Sequence, residues 1–418
     1  MMRKILAASA LIVATSLALT GCGRADTTDR TTAAPAALED GPATGTIKMW
    51  AMGTEGELLP DFLAAFEKEN PDVTVEVTAI PWDSALQKFQ TAIASGNVPD
   101  LAMMPGLPIF KDAYAPVPEG IELDGMFDGS VATGNMGGEQ LQVPWYVDTR
   151  VLYYRTDLAA QAGWDKAPET WEELHDFAAD MQSEAGATWG VRLPAGGTGS
   201  FQNTLWMPWS AGGELMNDAQ DEWTLDTPAF AESYEYLKSF FTDGISDPNA
   251  DPAPAAAVND FISGATPTLI TGPFFAGLLD SSEAELPYAT AVLPTKDSST
   301  SFVGGANLAV FTEAANSEAA WKLVQWLSQP ETQVAWYEAS GDLPAVQAAW
   351  DDPVLADKDS LEAFGEQLRT AKSPPQVVAF DKVGEKGDAV IEQIVRGAVS
   401  VEEGLATLQK LADEIGTE

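Results

Sequence analysis

The hydrophobic pattern between residues 46 and 104 changes period repeatedly, and this alternation constrains the fold more than any other feature. Residues 46–51 and 73–77 have the pattern of strands, and between them apolar residues recur at helical spacing. A second helical pattern stops at Gly96, before a third strand at residues 100–104. The order β-α-β-α-β predicts a parallel sheet with right-handed crossovers, and therefore an α/β fold.

The turns that follow these strands are the first candidates for a binding site. Ligands of open parallel sheets bind beyond the carboxyl ends of the strands. We therefore expect residues 52–57, 80–83 and 104–109 to form loops that face a ligand. Further along the chain, residues 140–155 read as a buried strand after a Pro-aromatic segment. Helical patterns are predicted over the following ranges: 170–181, 228–243, 317–327, 383–396 and 400–415.

The N-terminus has the form of an export signal. Arg3 and Lys4 precede an apolar run at residues 5–19, which is shorter than the ~20 residues that a membrane-spanning helix needs. The run ends in Leu-Thr-Gly-Cys, which resembles a bacterial lipobox, and Cys22 is the only cysteine of the chain. The alternative is an ordinary secretory signal with an incidental cysteine. We expect residues 1–21 to be removed and Cys22 to be lipidated, because two or more acyl chains hold a protein on a membrane durably.

The segment that follows the cysteine differs in composition from the rest of the chain. Residues 23–45 are rich in Thr, Ala, Asp and Pro and contain no aromatic residue, so they cannot bury enough apolar surface to offset their ordering entropy. Residues 22–45 are therefore predicted to be a flexible tether. The remainder is long enough for two domains. We expect the mature chain to be anchored on the outer face of the cell membrane.

Charge and composition exclude several classes of site. The formal net charge is −41, which would repel the phosphate backbone of nucleic acids. A single cysteine and a single histidine do not supply the ligands of a zinc or iron site, and no cofactor is implied. Calcium held by carboxylates alone stays open, although the chain lacks a calcium-loop signature. His175 lies in a predicted helix, where a half-exposed structural role is the simpler interpretation.

Motifs of catalysis are missing from the sequence. There is no G-x-S-x-G nucleophile elbow and no G-x-x-x-x-G-K-[ST] loop. The glycine-rich run at residues 196–200 has no Lys or Arg beside it, which disfavours a phosphate cradle. A glycosidase with paired carboxylates stays open, because acidic residues are abundant and any two of them could meet in the fold.

A group of aromatic residues lies beside prolines instead of on periodic faces. Each one alone is more simply explained as core packing, but together they predict a cleft with apolar platforms. Sugar rings lay their C–H faces on aromatic rings, and their hydroxyls pair with planar polar groups such as carboxylates. The aromatic residues of this group are Trp82, Trp145, Tyr146, Trp206, Trp209, Phe274 and Phe275. Asp83 and Asp148 stand next to two of these sites and offer carboxylates.

Several segments, in order along the chain, resemble the extracellular solute-binding proteins of ABC importers, and among them the sugar-binding branch related to maltose-binding protein. They include IPWDSALQKFQTAIASGNVPDLAMM, VPWYVDTRVLYYRTDLAAQAGW, FVGGANLAVF and SGDLPAVQAAW. The resemblance extends from residue 46 to the C-terminus.

The resemblance implies a two-lobe α/β fold, each lobe a mostly parallel sheet flanked by helices, with the ligand cleft between the lobes. The N-terminal lobe would comprise residues 46–148 and 306–350, and the C-terminal lobe residues 149–305 and 351–418. The resemblance places the following residues in the cleft: Thr54, Glu55, Trp82, Asp83, Met104, Trp145, Tyr146, Asp148, Trp206, Trp209, Phe274, Gly305 and Asn307. Phe274 takes a Gly-Pro-aromatic position where many relatives carry Trp.

The implied function is capture of a mono- or oligosaccharide, most simply an oligosaccharide, by hinge closure and its delivery to a membrane permease. A monomer without enzymatic activity and without nucleic-acid partners is expected, attached to the membrane only through its lipid. Two other classes stay open. A surface-anchored glycosidase would release products from an oligosaccharide, whereas a non-transport adhesin or sensor would bind saccharide without a permease partner.

Overall fold

The structure is a computed structural model that describes residues 37–282 and 286–418. The predicted signal segment, Cys22 and the first part of the expected tether lie outside the described residues. The expected tether ends earlier than residue 45. Ala43 is buried, and its backbone N–H donates to Oδ1 of Asn70 at 2.8 Å, so the folded region already includes this residue.

A six-stranded sheet organises the N-terminal part of the fold. Its strands, in spatial order, are β11 (Leu343–Pro344), β6 (Val143–Thr149), β10 (Val303–Val310), β3 (Leu101–Met104), β1 (Gly45–Met52) and β2 (Val73–Ile80). Strand β1 pairs in parallel with β2 and with β3, as the β-α-β-α-β pattern predicts. The returning strand β10 runs antiparallel to both β3 and β6. The α/β fold class is confirmed.

Helices begin almost directly at the ends of two of these strands. Helix α1 (Gly53–Phe62) follows β1 without a break and continues into α2 (Ala64–Glu69), and α3 (Trp82–Ser95) follows β2 after Pro81. The expected loops at residues 52–57 and 80–83 are therefore mostly first turns of helices. Only the third expected loop is present in part, since a 3₁₀ helix starts at Pro108. Loop residues and first-turn residues have similar composition, which is why the sequence pattern did not separate them.

The second sheet has three strands, in the order β8 (Thr268–Thr271), β7 (Val151–Arg155) and β9 (Tyr288–Ala291). Strand β7 is antiparallel to both of its neighbours. The expectation of a mostly parallel sheet in each lobe is therefore wrong for this lobe. Periodicity reports which residues form a strand, but strand direction depends on how the long connection between β7 and β8 returns, and that is a tertiary property.

The remaining elements pack around these two sheets. A short hairpin is formed by β4 (Asn135–Met136) and β5 (Glu139–Gln140). The helices are α4 (Asp128–Thr133), α5 (Thr156–Gln161), α6 (Trp171–Ser183), α7 (Ser200–Thr204), α8 (Trp206–Ser210), α9 (Pro228–Thr242), α10 (Pro254–Ser263), α11 (Phe274–Ser281), α12 (Ser317–Leu327), α13 (Pro330–Ser340), α14 (Pro353–Ala356), α15 (Asp359–Leu368), α16 (Phe380–Val395) and α17 (Val401–Ile415). Among the described residues, none of these helices has the length and apolar character needed to cross a bilayer.

Separate hydrophobic cores give the molecule two lobes. One core covers the six-stranded sheet and includes Phe89, Trp145 and Trp336. Another joins α6 and α9 to the C-terminal helices α16 and α17. A further cluster, with Val147, Val151 and Val303 among its members, follows the segments where the chain passes between the sheets.

The passage between the sheets is short. Strand β6 ends at Thr149 and β7 begins at Val151, so Arg150 alone separates a strand of one sheet from a strand of the other. Beside it, β10 begins with Val303 paired to Thr149 and Gly304 paired to Asp148. The chain therefore crosses at least twice at the same place. Thr149, Val151 and Val303 are buried there, whereas Asp148 and Arg150 are only partly buried.

Candidate functional site

A cavity of about 510 Å³ lies between the crossing strand β6, the end of α13 and helix α11. Four of the residues expected in the cleft line it together, namely Glu55, Tyr146, Asp148 and Phe274. They come from α1, β6 and α11, which belong to both lobes. The other charged or phenolic side chains in its wall are Asp280, Tyr337, Asp342 and Lys358.

Tyr146 and Glu55 form the fixed polar pair of this cavity. The Tyr146 hydroxyl donates to Oε1 of Glu55 at 2.8 Å. Burial raises the pKa of Tyr146, and the negative charges of Glu55 and Asp342 raise it further, so the phenol stays protonated and keeps donating. Oε2 of Glu55 accepts from no described residue and is available to a ligand.

Asp148 is held by the residue that connects the two sheets. Nη1 of Arg150 donates to Oδ1 of Asp148 at 2.6 Å, and both side chains are largely shielded from water. Nε of Arg150 donates to Oδ1 of Asn203 on α7 at 3.4 Å, and the guanidinium lies 4.7 Å from the Phe302 ring centroid. Arg150 thus joins a carboxylate of the first lobe to an amide of the second.

A second cavity, of about 270 Å³, adjoins the first one at Phe274. Its wall combines aromatic rings with planar donors, since Trp206 and Phe274 line it together with Arg150, Arg192 and Asn203. Residue Phe274 is 52% exposed, whereas Trp206 is buried and its ring contacts that of Trp171. Phe274 is therefore the ring with most of its face free for a ligand in the two cavities.

The expected residues at the ends of β1 and β2 lie together on the rim of the first lobe. The Trp82 side chain is 47% exposed, and its indole packs so closely on Gly53 that a Cβ there would overlap it. Gly53 has φ of +65°, which a residue with a side chain rarely adopts. Thr54 and Asp83 are exposed beside them. Their role as ligand contacts stays a prediction.

Three other expected residues are part of the protein interior instead of a cleft wall, and Gly305 is half-buried where two strands pass close together. Met104 is fully buried and its sulfur accepts from the Tyr114 hydroxyl at 3.0 Å. Trp209 is buried in the core of the second lobe. Asn307 is buried, and its amide bonds with Thr133 and Gln142. Gly305 has φ of +113° and packs against the Tyr146 carbonyl, so it permits the close approach of two strands.

Trp145 contradicts the expectation of a stacking platform. Its side chain is 1% exposed and stacks on Trp336, with ring centroids 4.6 Å apart and planes 29° from parallel. Side chains alternate across a strand, so within β6 Trp145 points into the core while Tyr146 points toward the cavity. The ring that the sequence places beside Asp148 is therefore a packing residue.

The glycine-rich run also has a structural explanation. The carboxylate of Asp388 on α16 accepts from the N–H of Gly199 at 2.9 Å and from the N–H of Phe201 at 2.7 Å. The backbone amides at the start of α7 are thus already occupied by an anion of the chain itself. This agrees with the prediction that the run is not a phosphate cradle.

Sequence reasoning did not single out three polar residues of the site. Arg150 follows Asp148 by two residues, so the Asp-Thr-Arg run was a usable signal for a charged pair at a strand end. Asn203 had no such signal. Asp342 follows Gly341, whose φ of +84° ends α13, and it reaches the cavity only because β11 pairs with β6.

No group of three or more His, Cys, Asp or Glu side chains within residues 37–282 and 286–418 is arranged to hold a metal ion. His175 lies on α6, where its Nε2 is 3.1 Å from Oδ2 of Asp243, and its side chain is 25% exposed. This matches the structural role expected for it.

The chain matches the family model described as bacterial extracellular solute-binding protein over residues 51–334. Among curated proteins, it is 22% identical to the galactooligosaccharide-binding protein of Bacillus subtilis, over 94% of this chain and 93% of that protein. It is 25% identical to the diacetylchitobiose binding protein DasA of Streptomyces coelicolor, over 90% of this chain and 89% of that protein.

Solved structures agree with these relationships. The sugar-binding protein MalE of Xanthomonas citri superposes with a TM-score of 0.81 at 27% identity, covering 89% of this chain and 97% of that one. The cyclic alpha-maltosyl-1,6-maltose binding protein of Arthrobacter globiformis gives a TM-score of 0.80 at 22% identity, covering 90% and 99% of the two chains. The second comparison concerns the fold alone. Together they confirm the two-lobe fold expected from the sequence.

Proposed function

The chain belongs to the bacterial extracellular solute-binding proteins, and from this premise we propose that it captures an oligosaccharide outside the cell and delivers it intact to an ABC importer. Among the relatives whose names specify a ligand, one binds galactooligosaccharide, one binds diacetylchitobiose and one binds sn-glycerol-3-phosphate, and the MalE structure is that of a sugar-binding protein. The observation that carries the proposal is the cavity that sets the exposed Phe274 ring opposite Glu55, Tyr146 and Asp148.

The chemistry of this cavity suits a neutral sugar. A hydroxyl can donate to the unoccupied carboxylate oxygens, while the sugar's C–H face lies on Phe274. A Kd of about 1 μM corresponds to about −8 kcal/mol, which a stacked ring and several hydrogen bonds can supply after ordering costs. Capture requires no covalent step, and the family consists of binding proteins.

The proposed division into lobes follows the two sheets. We assign residues 46–148 and 306–350 to the N-terminal lobe, and residues 149–305 and 351–418 to the C-terminal lobe. In support, β6 and β10 belong to the six-stranded sheet, whereas β7, β8 and β9 form the other one. Hinge closure at the crossing would bring Phe274 toward Glu55 and exclude water from the bound saccharide.

The proposed location is the outer face of the cell membrane. There the mature chain would act as a monomer, attached through lipid on Cys22 and meeting permease subunits in its ligand-bound form. The support is the lipobox-like sequence together with membership of an extracellular family.

The test is saccharide binding by native protein and two matched variants on α11. A panel containing maltose, maltotetraose, a galactooligosaccharide and diacetylchitobiose is screened by thermal shift, and binders are titrated by calorimetry. Phe274→Ala should weaken binding of the panel member about five- to tenfold or more, because a stacked aromatic contact contributes ~0.5–1.5 kcal/mol beyond its buried area. The melting temperature should change little, since the ring is largely exposed.

Leu278→Ala is the control, because Leu278 lies one turn further along α11, is 37% exposed, and is not part of either cavity wall. Its affinity should equal that of the native chain. The absence of any saccharide binding would refute the proposal. Release of shorter sugars from an incubated oligosaccharide, followed by chromatography, would instead favour the glycosidase alternative.

A further inference from the structure

We propose that Asp342 is a ligand-contacting carboxylate that accepts hydroxyl hydrogen bonds from the bound saccharide, and that the Trp145–Trp336 pair positions it for this role. The inference rests on the proposed function and adds a specificity-determining residue to the cleft. It also gives the buried Trp145 an indirect role, because Trp145 stacks on Trp336 and Trp336 holds Asp342.

The chain brings Asp342 to the cavity through backbone pairing. Helix α13 ends at Gly341, and β11 then pairs with β6 in antiparallel register, with Leu343 opposite Val147 and Pro344 opposite Tyr146. Continuing this register by one residue places Asp342 beside Asp148. Both residues line the same cavity as Glu55 and Phe274. Residues that are far apart in sequence therefore form one polar wall.

The Asp342 carboxylate is held in place by its neighbours at the cavity wall. Nε1 of Trp336 donates to Oδ2 at 3.0 Å, and the Asp342 backbone N–H donates to Oγ of Ser340 at 3.0 Å. The Trp336 ring is itself immobilised by stacking on Trp145. The Ser340 side chain also bonds with the Asp342 carboxyl. Each carboxylate oxygen can accept more than one hydrogen bond, so a carboxylate held in one orientation in a cavity wall can still receive a further donor.

The charges around Asp342 determine which ligand group this carboxylate can bind. Glu55 on α1 and Asp148 on β6 face it as carboxylates, and Asp280 on α11 adds another to the same wall. The Tyr146 hydroxyl is engaged by Glu55, while Nζ of Lys358 donates to the Tyr337 hydroxyl at 2.7 Å. The wall thus offers more acceptors than free donors. A saccharide hydroxyl that donates to Asp342 would supply a hydrogen-bond donor, of which this wall offers few.

The same surroundings make binding depend on pH. Burial, and after it the negative charge of Glu55, raise the pKa of Asp342 to about 6. A hydroxyl that donates to the carboxylate favours its ionised form, so binding should release a proton. Saccharide affinity should therefore be full above the pKa and fall as the pH decreases through it.

The stability of the ligand-free protein should also depend on the protonation of Asp342. Because the folded-state pKa of Asp342, about 6, lies above its ordinary value of 3.8, this carboxyl holds more protons in the folded chain than in the unfolded chain between these two pH values. The contribution of Asp342 to the free energy of unfolding should therefore decrease as the pH rises from 3.8 to about 6. Asp342→Asn removes the buried charge and keeps an oxygen for Trp336, so it should raise the melting temperature near neutral pH. A purely structural carboxylate would give the opposite result.

The experiment compares native chain, Asp342→Asn and Glu338→Gln. Glu338 lies exposed on α13 and serves as the charge-matched control. Calorimetry uses the panel of maltose, maltotetraose, a galactooligosaccharide and diacetylchitobiose at about pH 8 and about pH 5, where the native affinity should differ about tenfold. Asp342→Asn should bind about ten- to a hundredfold more weakly at the higher pH, as for a lost hydrogen bond to a charged group, and show a flattened pH dependence. Glu338→Gln should behave as native.

Trp336→Phe tests the positioning role, because it retains a ring against Trp145 but removes the Nε1 donor that favours ionised Asp342. Its affinity should begin to fall at a higher pH than that of the native chain. A native-like affinity in Asp342→Asn, or an unchanged pH dependence in that variant, overturns the inference while the proposed function stands. Failure of the native chain to bind any panel saccharide overturns both.

Discussion

Aromatic residues that follow a proline in the sequence have two different environments in the structure. Trp145 and Phe274 each follow a proline-containing turn or strand, yet the first is buried against Trp336 and the second is half exposed between two cavities. The difference has consequences for substitution. Removing a buried ring leaves a cavity, whereas removing a half-exposed ring removes fewer packing contacts within the protein.

Trp145→Ala should therefore lower stability strongly. Loss of a fully buried Trp costs about 3–5 kcal/mol, because the stack on Trp336 and the packing of the core are lost together. Chemical denaturation followed by fluorescence or circular dichroism measures this change. Trp82→Ala is the control, since the Trp82 ring is 47% exposed and its removal should cost much less. Equal unfolding free energies for the two variants would contradict the assignment of Trp145 to the core.

At the scale of elements, a side chain of α16 fixes the start of α7. The Asp388 carboxylate on α16 accepts hydrogen bonds from two backbone N–H groups at the start of α7. The Phe201 ring on α7 also packs directly on Gly387 of α16, where a Cβ would overlap the ring. The short helix α7 in turn carries Asn203, which bonds with Arg150 at the crossing. A contact of α16 that lies outside both cavity walls thus supports a residue of the site.

Asp388→Asn should destabilise the protein by about 1–3 kcal/mol, because the amide presents one acceptor oxygen where the carboxylate presents two charged ones. Thermal or urea unfolding measures the loss. Glu385→Gln, an exposed position on the same helix, should stay close to native. If both variants unfold alike, the carboxylate does not hold α7 in the way described.

At the scale of the whole molecule, two sheets with separate cores are joined through short crossing segments. Helix α1 and strand β6 on one side supply Glu55 and Asp148, and helix α11 on the other side supplies Phe274. Because the contacts of a ligand would be divided between the lobes, binding and the angle between the lobes should be coupled.

Saturation with a saccharide that binds in calorimetry should reduce the radius of gyration, as hinge closure requires. Small-angle scattering of the tether-free chain with and without that saccharide is the measurement. Phe274→Ala at the same saccharide concentration should show a smaller change, since fewer molecules would be occupied. An unchanged radius at confirmed saturation would contradict closure from an open state.

Cys22→Ser should abolish the proposed lipid attachment, because in a lipobox the cysteine thiol is the group that would carry the diacylglycerol. We expect the variant to be shed into the medium or to stay unprocessed, as shown by cell fractionation and mass spectrometry of the N-terminus. A conservative change in the tether, Ser for Thr31, should leave retention unaltered. Membrane retention of the Cys22→Ser chain after washing without detergent would refute the anchor.

The sequence by itself determined the elements whose signals are local. The β-α-β-α-β order, the end of α3 at Gly96 and a helix within residues 400–415, which starts with a capping box of Ser400 and Glu403, are present as the sequence predicts. Each depends on residues a few positions apart, so periodicity and end signals were sufficient. Membership of a two-lobe family was also legible, because several motifs occur in order along the chain.

Only the tertiary structure decided which side chains meet in the cleft. Trp145 is buried because Trp336, far along the chain, stacks on it, and Asp342 reaches the cavity because β11 pairs with β6. The antiparallel second sheet depends likewise on long-range pairing. The burial of a side chain and the direction of a strand depend on packing and pairing partners from distant segments. A local sequence pattern does not specify those partners. The residues that bind are for that reason harder to predict than the elements that carry them.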